Sequence, residues 1–154
     1  PALEIDASCL LAIRGCGPVG YPGSAEVVNM QPPAELIKKG VDTLPTMGDG
    51  RQSGTAASPS ILNISPESAI GGNLALLETG DSIRVDLNTC SVKLQVSDAE
   101  LARRRAAYTP PKLEHQTPWQ EIYRGCVGQL VTGGCLELAT KYRGVGGCVP
   151  RRNH

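Results

Sequence analysis

Two stretches of the chain, residues 82–87 (Ser-Ile-Arg-Val-Asp-Leu) and 92–96 (Val-Lys-Leu-Gln-Val), alternate polar and apolar positions. A period of two marks half-buried strands. The turn-forming residues 88–91 lie between them, so the pair predicts a β-hairpin. Ser97-Asp-Ala-Glu100 then has the spacing of a capping box and predicts a helix over 98–107. Arginines 103, 104 and 105 on it are expected to form a solvated face. Shorter apolar runs at 9–13, 41–47, 60–64 and 73–78 are expected to be strands. Residues 32–39 open on prolines, end on lysines and are followed by Gly40, which predicts a short helix. Residues 24–30 predict one or two helical turns with Ser24 as N-cap. Ser65 and Pro66 predict a cap and first helical position. Residues 119–123 predict a helical turn and 136–142 a helix. The proline-broken stretch 109–118 predicts an irregular connection. The whole reads as one α+β domain, a curled sheet or small β-barrel with peripheral helices.

Composition narrows the function. The chain has 154 residues, with 15 basic and 15 acidic side chains. That balance gives no electrostatic support to nucleic-acid or anionic-membrane binding. No apolar run approaches the roughly 20 residues of a membrane span, and no signal peptide is visible. With no Phe and one Trp, the core must be built from Leu, Ile, Val and Ala. The six cysteines, at 9, 16, 90, 126, 135 and 148, contain no Cys-x-x-Cys pair. They read as reduced cytosolic thiols rather than a zinc ribbon or disulfide framework.

Small, polar and charged residues crowd between 44 and 60, above all in Gly48-Asp-Gly-Arg-Gln-Ser-Gly-Thr55. Its three glycines permit positive φ or close backbone approach. Successive N–H groups in such a loop can bind an anion, and Arg51 can clamp a carboxylate. Ser53 and Thr55 supply hydroxyls. The plainer reading is a turn shaped by an Asp–Arg pair. The spacing fits neither the Gly-x-Ser-x-Gly nucleophile elbow nor a phosphate loop. Gly15-Cys-Gly-Pro-Val-Gly20 matches a dinucleotide fingerprint, but Pro18, Pro22 and Gly23 break the helix that motif must open.

Longer strings carry a resemblance. Arg14-Gly-Cys-Gly-Pro-Val-Gly-Tyr-Pro-Gly-Ser-Ala-Glu-Val-Val-Asn-Met30, the 48–55 loop, Ser58-Pro-Ser-Ile-Leu-Asn63, Ser65-Pro-Glu-Ser-Ala69, Thr79-Gly-Asp-Ser-Ile-Arg-Val-Asp86 and Val96-Ser-Asp-Ala-Glu-Leu-Ala-Arg-Arg-Arg105 closely resemble the dihydroxy-acid and 6-phosphogluconate dehydratase family. Gln52 and the Ser58–Asn63 run are similar to the arabinonate and xylonate branch.

The resemblance implies a hydro-lyase that converts a 2,3-dihydroxy acid to a 2-keto-3-deoxy acid. It implies a [2Fe-2S] cluster, with ligands on an N-terminal domain absent from this chain, and Mg²⁺. The chain would be the C-terminal, β-barrel-like, swivelling domain of a longer cytoplasmic enzyme, as its start at Pro1 also suggests, working with its own N-terminal domain in a homo-oligomer. By position, Ser53 resembles the proposed base and Glu26 the Mg²⁺ ligand, although an acid early in a helix also compensates the helix dipole. Arg51 and Thr55 are expected at the substrate. His154 is a candidate for its sugar end, a disordered end residue being the plain alternative. A branched-chain dihydroxy-acid dehydratase, an inert assembly module and a free-standing carboxylate-binding domain are the competing readings.

Overall fold

The computed structural model describes residues 3–27, 30–52, 57–113 and 117–140, with backbone alone at Val27 and Gln52. The apolar runs near 11, 46 and 60 become strands β1 (Leu11–Ile13), β3 (Thr46–Gly48) and β5 (Ser60–Ile61). They form a parallel sheet in the order β1-β3-β5, with Met47 opposite Ala12 on one side and Ile61 on the other. Burial on both sides suits the continuous apolar run that a central parallel strand needs. Leu44 and Met47 from this run join Ala69, Leu74, Leu76 and Val127 in the core. Gly48 is required by close approach: a Cβ there would lie 2.5 Å from the carbonyl oxygen of Ile13.

A second, two-residue parallel pairing joins β2 (Glu26–Val27) to β4 (Arg51–Gln52). The helical turns expected over 24–30 therefore do not form over the residues described there. Ser24 sits at φ +59° instead of capping a helix, and Glu26 is in a strand. The hairpin does form, as β6 (Ile83–Asp86) and β7 (Ser91–Leu94) with Val85 opposite Val92. The Asp86 carboxylate closes its turn by accepting from the N–H groups of Asn88 and Thr89. Three sheets result, mixed with helices, and among the described residues they do not close into a barrel.

Helices α1 (Ala34–Lys38), α2 (Asp98–Ala107) and α3 (Pro118–Cys126) complete the fold. Ser97 caps α2 by accepting from the Glu100 N–H, and Thr117 and Gln120 build a full capping box on α3. The apolar run at 73–78 is not a strand. It forms a 3-10 helix over Asn73–Leu76, which buries Leu74 and Leu76. Short apolar runs carry no period that separates the two outcomes. Ser65 caps nothing: its hydroxyl accepts from the Val131 N–H, and the next 3-10 turn starts at Ser68. Leu136 makes a single bridge to Val127, and 137–140 form a 3-10 turn in place of the expected α-helix.

Arg104 is not part of a solvated face, since its side chain is 9% exposed. Both of its terminal nitrogens bind the Asp81 carboxylate, at 2.6 and 3.0 Å. Its Nε donates to Glu100 at 2.7 Å and its Nη1 to the Leu76 carbonyl at 2.9 Å. The Arg104 hydrogen bonds hold the Asp81 carboxyl below the usual range. Arg103 and then Arg104 pull Glu100 down to about 2. Both carboxyls have a lower pKa folded than unfolded. Their contribution to stability is thus complete above the ordinary carboxylate range and is lost as pH falls toward about 2. Arg104→Met in the full-length protein is expected to lower the thermal midpoint at pH 7 and to flatten its decline between pH 5 and pH 3. Equal acid sensitivity in variant and parent would contradict this coupling.

Candidate active site

The sheet register brings two of the expected site residues together. Glu26 and Arg51 are direct partners across β2 and β4. Both are exposed. Arg51 Nε donates to the Ser24 carbonyl at 2.7 Å, tying the strand after Gly50 to the loop before Glu26. With no helix at 24–27, compensation of a helix dipole does not explain Glu26. Its exposed carboxylate is a hard oxygen donor of the kind a divalent cation takes. Ser53, Thr55 and His154 lie outside the described residues.

The loop after β1 owes its shape to two carboxylates, Asp49, which sequence reading paired with Arg51, and Glu67, which it did not single out. Asp49 and Glu67 are both fully buried. Asp49 accepts from the N–H groups of Gly15 and Cys16, each at 3.0 Å, and from the N–H of Ser68 at 2.8 Å. The Ser68 hydroxyl donates to it as well. Glu67 accepts from the N–H groups of Val19 at 2.8 Å and Gly20 at 2.9 Å, and from Gln129 Nε2 at 2.7 Å. The glycine-rich string that mimics a dinucleotide fingerprint is thus wrapped around protein carboxylates. A Cβ on Gly17 would collide with the Glu67 side chain, and one on Gly50 would lie 2.8 Å from Cys16 Cβ.

Asp49 does not pair with Arg51 to shape a turn, since its bonds run to the loop and to Ser68. Gly48 and Gly50 serve close approach, and neither takes a positive φ. Burial and the neighbouring Asp49 charge push the Cys16 thiol pKa up, so Cys16 is disfavoured as a thiolate.

An open cleft of about 490 Å³ lies against this loop, lined in part by Ser24, Arg51, Trp119, Tyr123, Arg124 and Leu130. Its volume is in the range of small-molecule sites. Ser24 Oγ and the Nε and Nη2 atoms of Arg124 are buried without a hydrogen-bond partner among the described residues. Buried donors left in this state carry a desolvation cost. Arg124 Nη1 is satisfied, by the Leu113 carbonyl and by Glu121.

Residues 2–134 match the family described as dihydroxy-acid/6-phosphogluconate dehydratase, C-terminal. The chain belongs to this family. Over all 154 residues it is 61% identical to a D-xylonate dehydratase of Caulobacter vibrioides, covering 26% of that protein. It is 45% identical over 145 residues to an L-arabinonate dehydratase of Rhizobium leguminosarum bv. trifolii, covering 92% of this chain and 24% of the relative. A dihydroxy-acid dehydratase of Clostridium beijerinckii is 38% identical over 136 residues, 88% of this chain and 24% of the relative. The chain therefore spans about a quarter of the length of these relatives. No helix among the described residues is long and apolar enough to cross a membrane.

The donor chemistry bears on the family's metals. Among the described residues no three His, Cys, Asp or Glu side chains group as a metal site. Cys9, Cys16, Cys90, Cys126 and Cys135 are free thiols and do not form a cluster-binding set. The described residues thus do not fit an iron–sulfur cluster. Glu26 offers one exposed carboxylate, a donor type that Mg²⁺ takes, and any further ligands would have to come from elsewhere.

Proposed function

We propose that this chain is the C-terminal catalytic part of a hydro-lyase that dehydrates a sugar acid, an aldonate of the xylonate or arabinonate type, to its 2-keto-3-deoxy acid. The observation that carries the reading is the backbone register that makes Glu26 and Arg51 partners on adjacent strands, both exposed, with Arg51 two residues before Ser53 in the chain. The names of the D-xylonate and L-arabinonate relatives support the substrate class.

In this reading Ser53 takes the C2 proton and the C3–hydroxyl bond breaks. The proton taken from C2 is returned to the departing hydroxyl, which leaves as water, and the enol left behind tautomerises to the keto acid. A serine hydroxyl is too weak an acid to be ionised at neutral pH, so its surroundings must favour the alkoxide, as backbone N–H donors of a glycine-rich loop do. Arg51 clamps or orients the acid group bidentately. Thr55 and His154 reach the substrate hydroxyls. Glu26, together with residues outside this chain, would hold Mg²⁺, which when bound would supply positive charge for the acid group of the substrate. The [2Fe-2S] cluster would belong with the N-terminal domain, against which this domain swivels in a cytoplasmic homo-oligomer.

A substrate panel tests the assignment. The full-length enzyme, purified anaerobically, is expected to turn over a pentonate with kcat/KM at least about a hundredfold above a branched-chain dihydroxy acid, a difference of roughly 2.7 kcal/mol in transition-state binding. Preference for the branched-chain acid would move the protein to the other branch. No turnover of either class would favour an inert or purely binding role.

A further inference from the structure

We infer that Asp49 and Glu67 are positioning residues: two buried anions that set the 14–24 loop and thereby the place of Glu26 beside Arg51. The inference rests on the functional reading above for why that place matters. Its geometry is independent of that reading.

Five of the donors that reach these carboxylates are backbone N–H groups, and four of those five belong to the loop itself: Gly15, Cys16, Val19 and Gly20. Asp49 thus grips the start of the loop and Glu67 its middle. The loop then closes on itself. Tyr21 N–H donates to the Gly15 carbonyl at 2.8 Å, and Ser24 N–H to the carbonyls of Cys16 and Gly17, both at 3.1 Å. The Ser24 carbonyl accepts from Arg51 Nε, and two residues later Glu26 pairs with Arg51.

Asp49 stands two residues before Arg51, so one short segment both anchors the loop and receives its far end. Glu67 is braced in turn, since Gln129 Oε1 accepts from its N–H while Gln129 Nε2 donates to its carboxylate. A carboxylate is required at both positions. Every group facing Asp49 or Glu67 is a donor, so an amide of the same shape would turn its NH₂ toward an N–H. Neither carboxylate is exposed to bind substrate or metal itself.

The test uses Asp49→Asn, Glu67→Gln and the milder Gln129→Leu in the full-length protein, with Glu26→Gln as reference. Hydrogen exchange is read peptide by peptide, and Mg²⁺ binding by calorimetry. Asp49→Asn and Glu67→Gln are expected to speed exchange at 15–27 by at least about tenfold while 91–107 stays as in the parent. They should weaken Mg²⁺ about tenfold, the low end of what loss of outer support costs a metal ligand. At saturating Mg²⁺, kcat should remain within a few-fold of the parent. Gln129→Leu should give the same pattern at smaller amplitude, and carries the test if the charge-removing variants do not fold.

Unchanged exchange at 24–27, or an equal rise across the chain, would overturn the inference. So would normal Mg²⁺ binding by Asp49→Asn where Glu26→Gln binds weakly. A Glu26→Gln reference that binds Mg²⁺ normally would overturn the metal reading of Glu26 instead, and leave the exchange result to judge the anchors.

Discussion

Ser53→Ala in the full-length enzyme is expected to reduce turnover of a pentonate by about 10⁴-fold, while cluster absorbance, Mg²⁺ binding and thermal unfolding stay at parental values. Removing the group that takes the proton costs the whole of its general-base contribution, on the order of 10²–10⁴ for proton transfer alone. The loss here should sit at the top of that range, because alanine carries no proton acceptor in its side chain. The defect should fall on kcat rather than KM, since a base that acts on C2 contributes little to ground-state binding. Solvent deuterium supplies a second readout: the variant should no longer exchange the C2 hydrogen of bound pentonate. Activity within a few-fold of the parent would show that Ser53 is not the base.

Much of the scaffold was legible because its causes are local. The alternation over 82–96 gave the β6–β7 hairpin, and Ser97 and Glu100 gave the start of α2. The apolar residues up to Met47 gave the buried middle strand. What misled was also local. Ser24, Ala25 and Glu26 have the composition of a helix start, but Arg51 binds the Ser24 carbonyl and β4 claims Glu26 for a strand. Tertiary pairing overrode propensity there, as it commonly does for two-residue segments.

The buried anions were invisible for the opposite reason. Gly48-Asp-Gly50 and Pro66-Glu67 look like surface turns, and the donors that satisfy Asp49 and Glu67 lie as many as 62 residues away in the chain. The one signal available was the density of glycine on both sides of the contact, at 15, 17 and 20 and at 48 and 50. Glycine at such spacing marks backbone packed against something. Arg104 was misjudged similarly: three consecutive arginines look like a solvated face, yet one of them is enclosed by Asp81, Glu100 and the Leu76 carbonyl. Within the site, Glu26 and Arg51 were named from the sequence and the register makes them neighbours. Ser53, Thr55 and His154 fall outside the described residues.

Arg51 and Glu26 carry the second large effect. An exposed glutamate beside an arginine is, in most proteins, a surface pair worth little, and its loss would pass unnoticed. In the function proposed above the same carboxylate would be a charged ligand to a hard cation, and the neutral amide a poorer donor. These two outcomes are far apart, so a single titration separates them. Mg²⁺ is added to the metal-depleted full-length enzyme carrying Glu26→Gln, and binding is followed by calorimetry alongside turnover of a pentonate. The account predicts a dissociation constant raised by at least about tenfold and turnover that only excess Mg²⁺ partly restores. A binding curve and turnover superimposable on the parent's would contradict it.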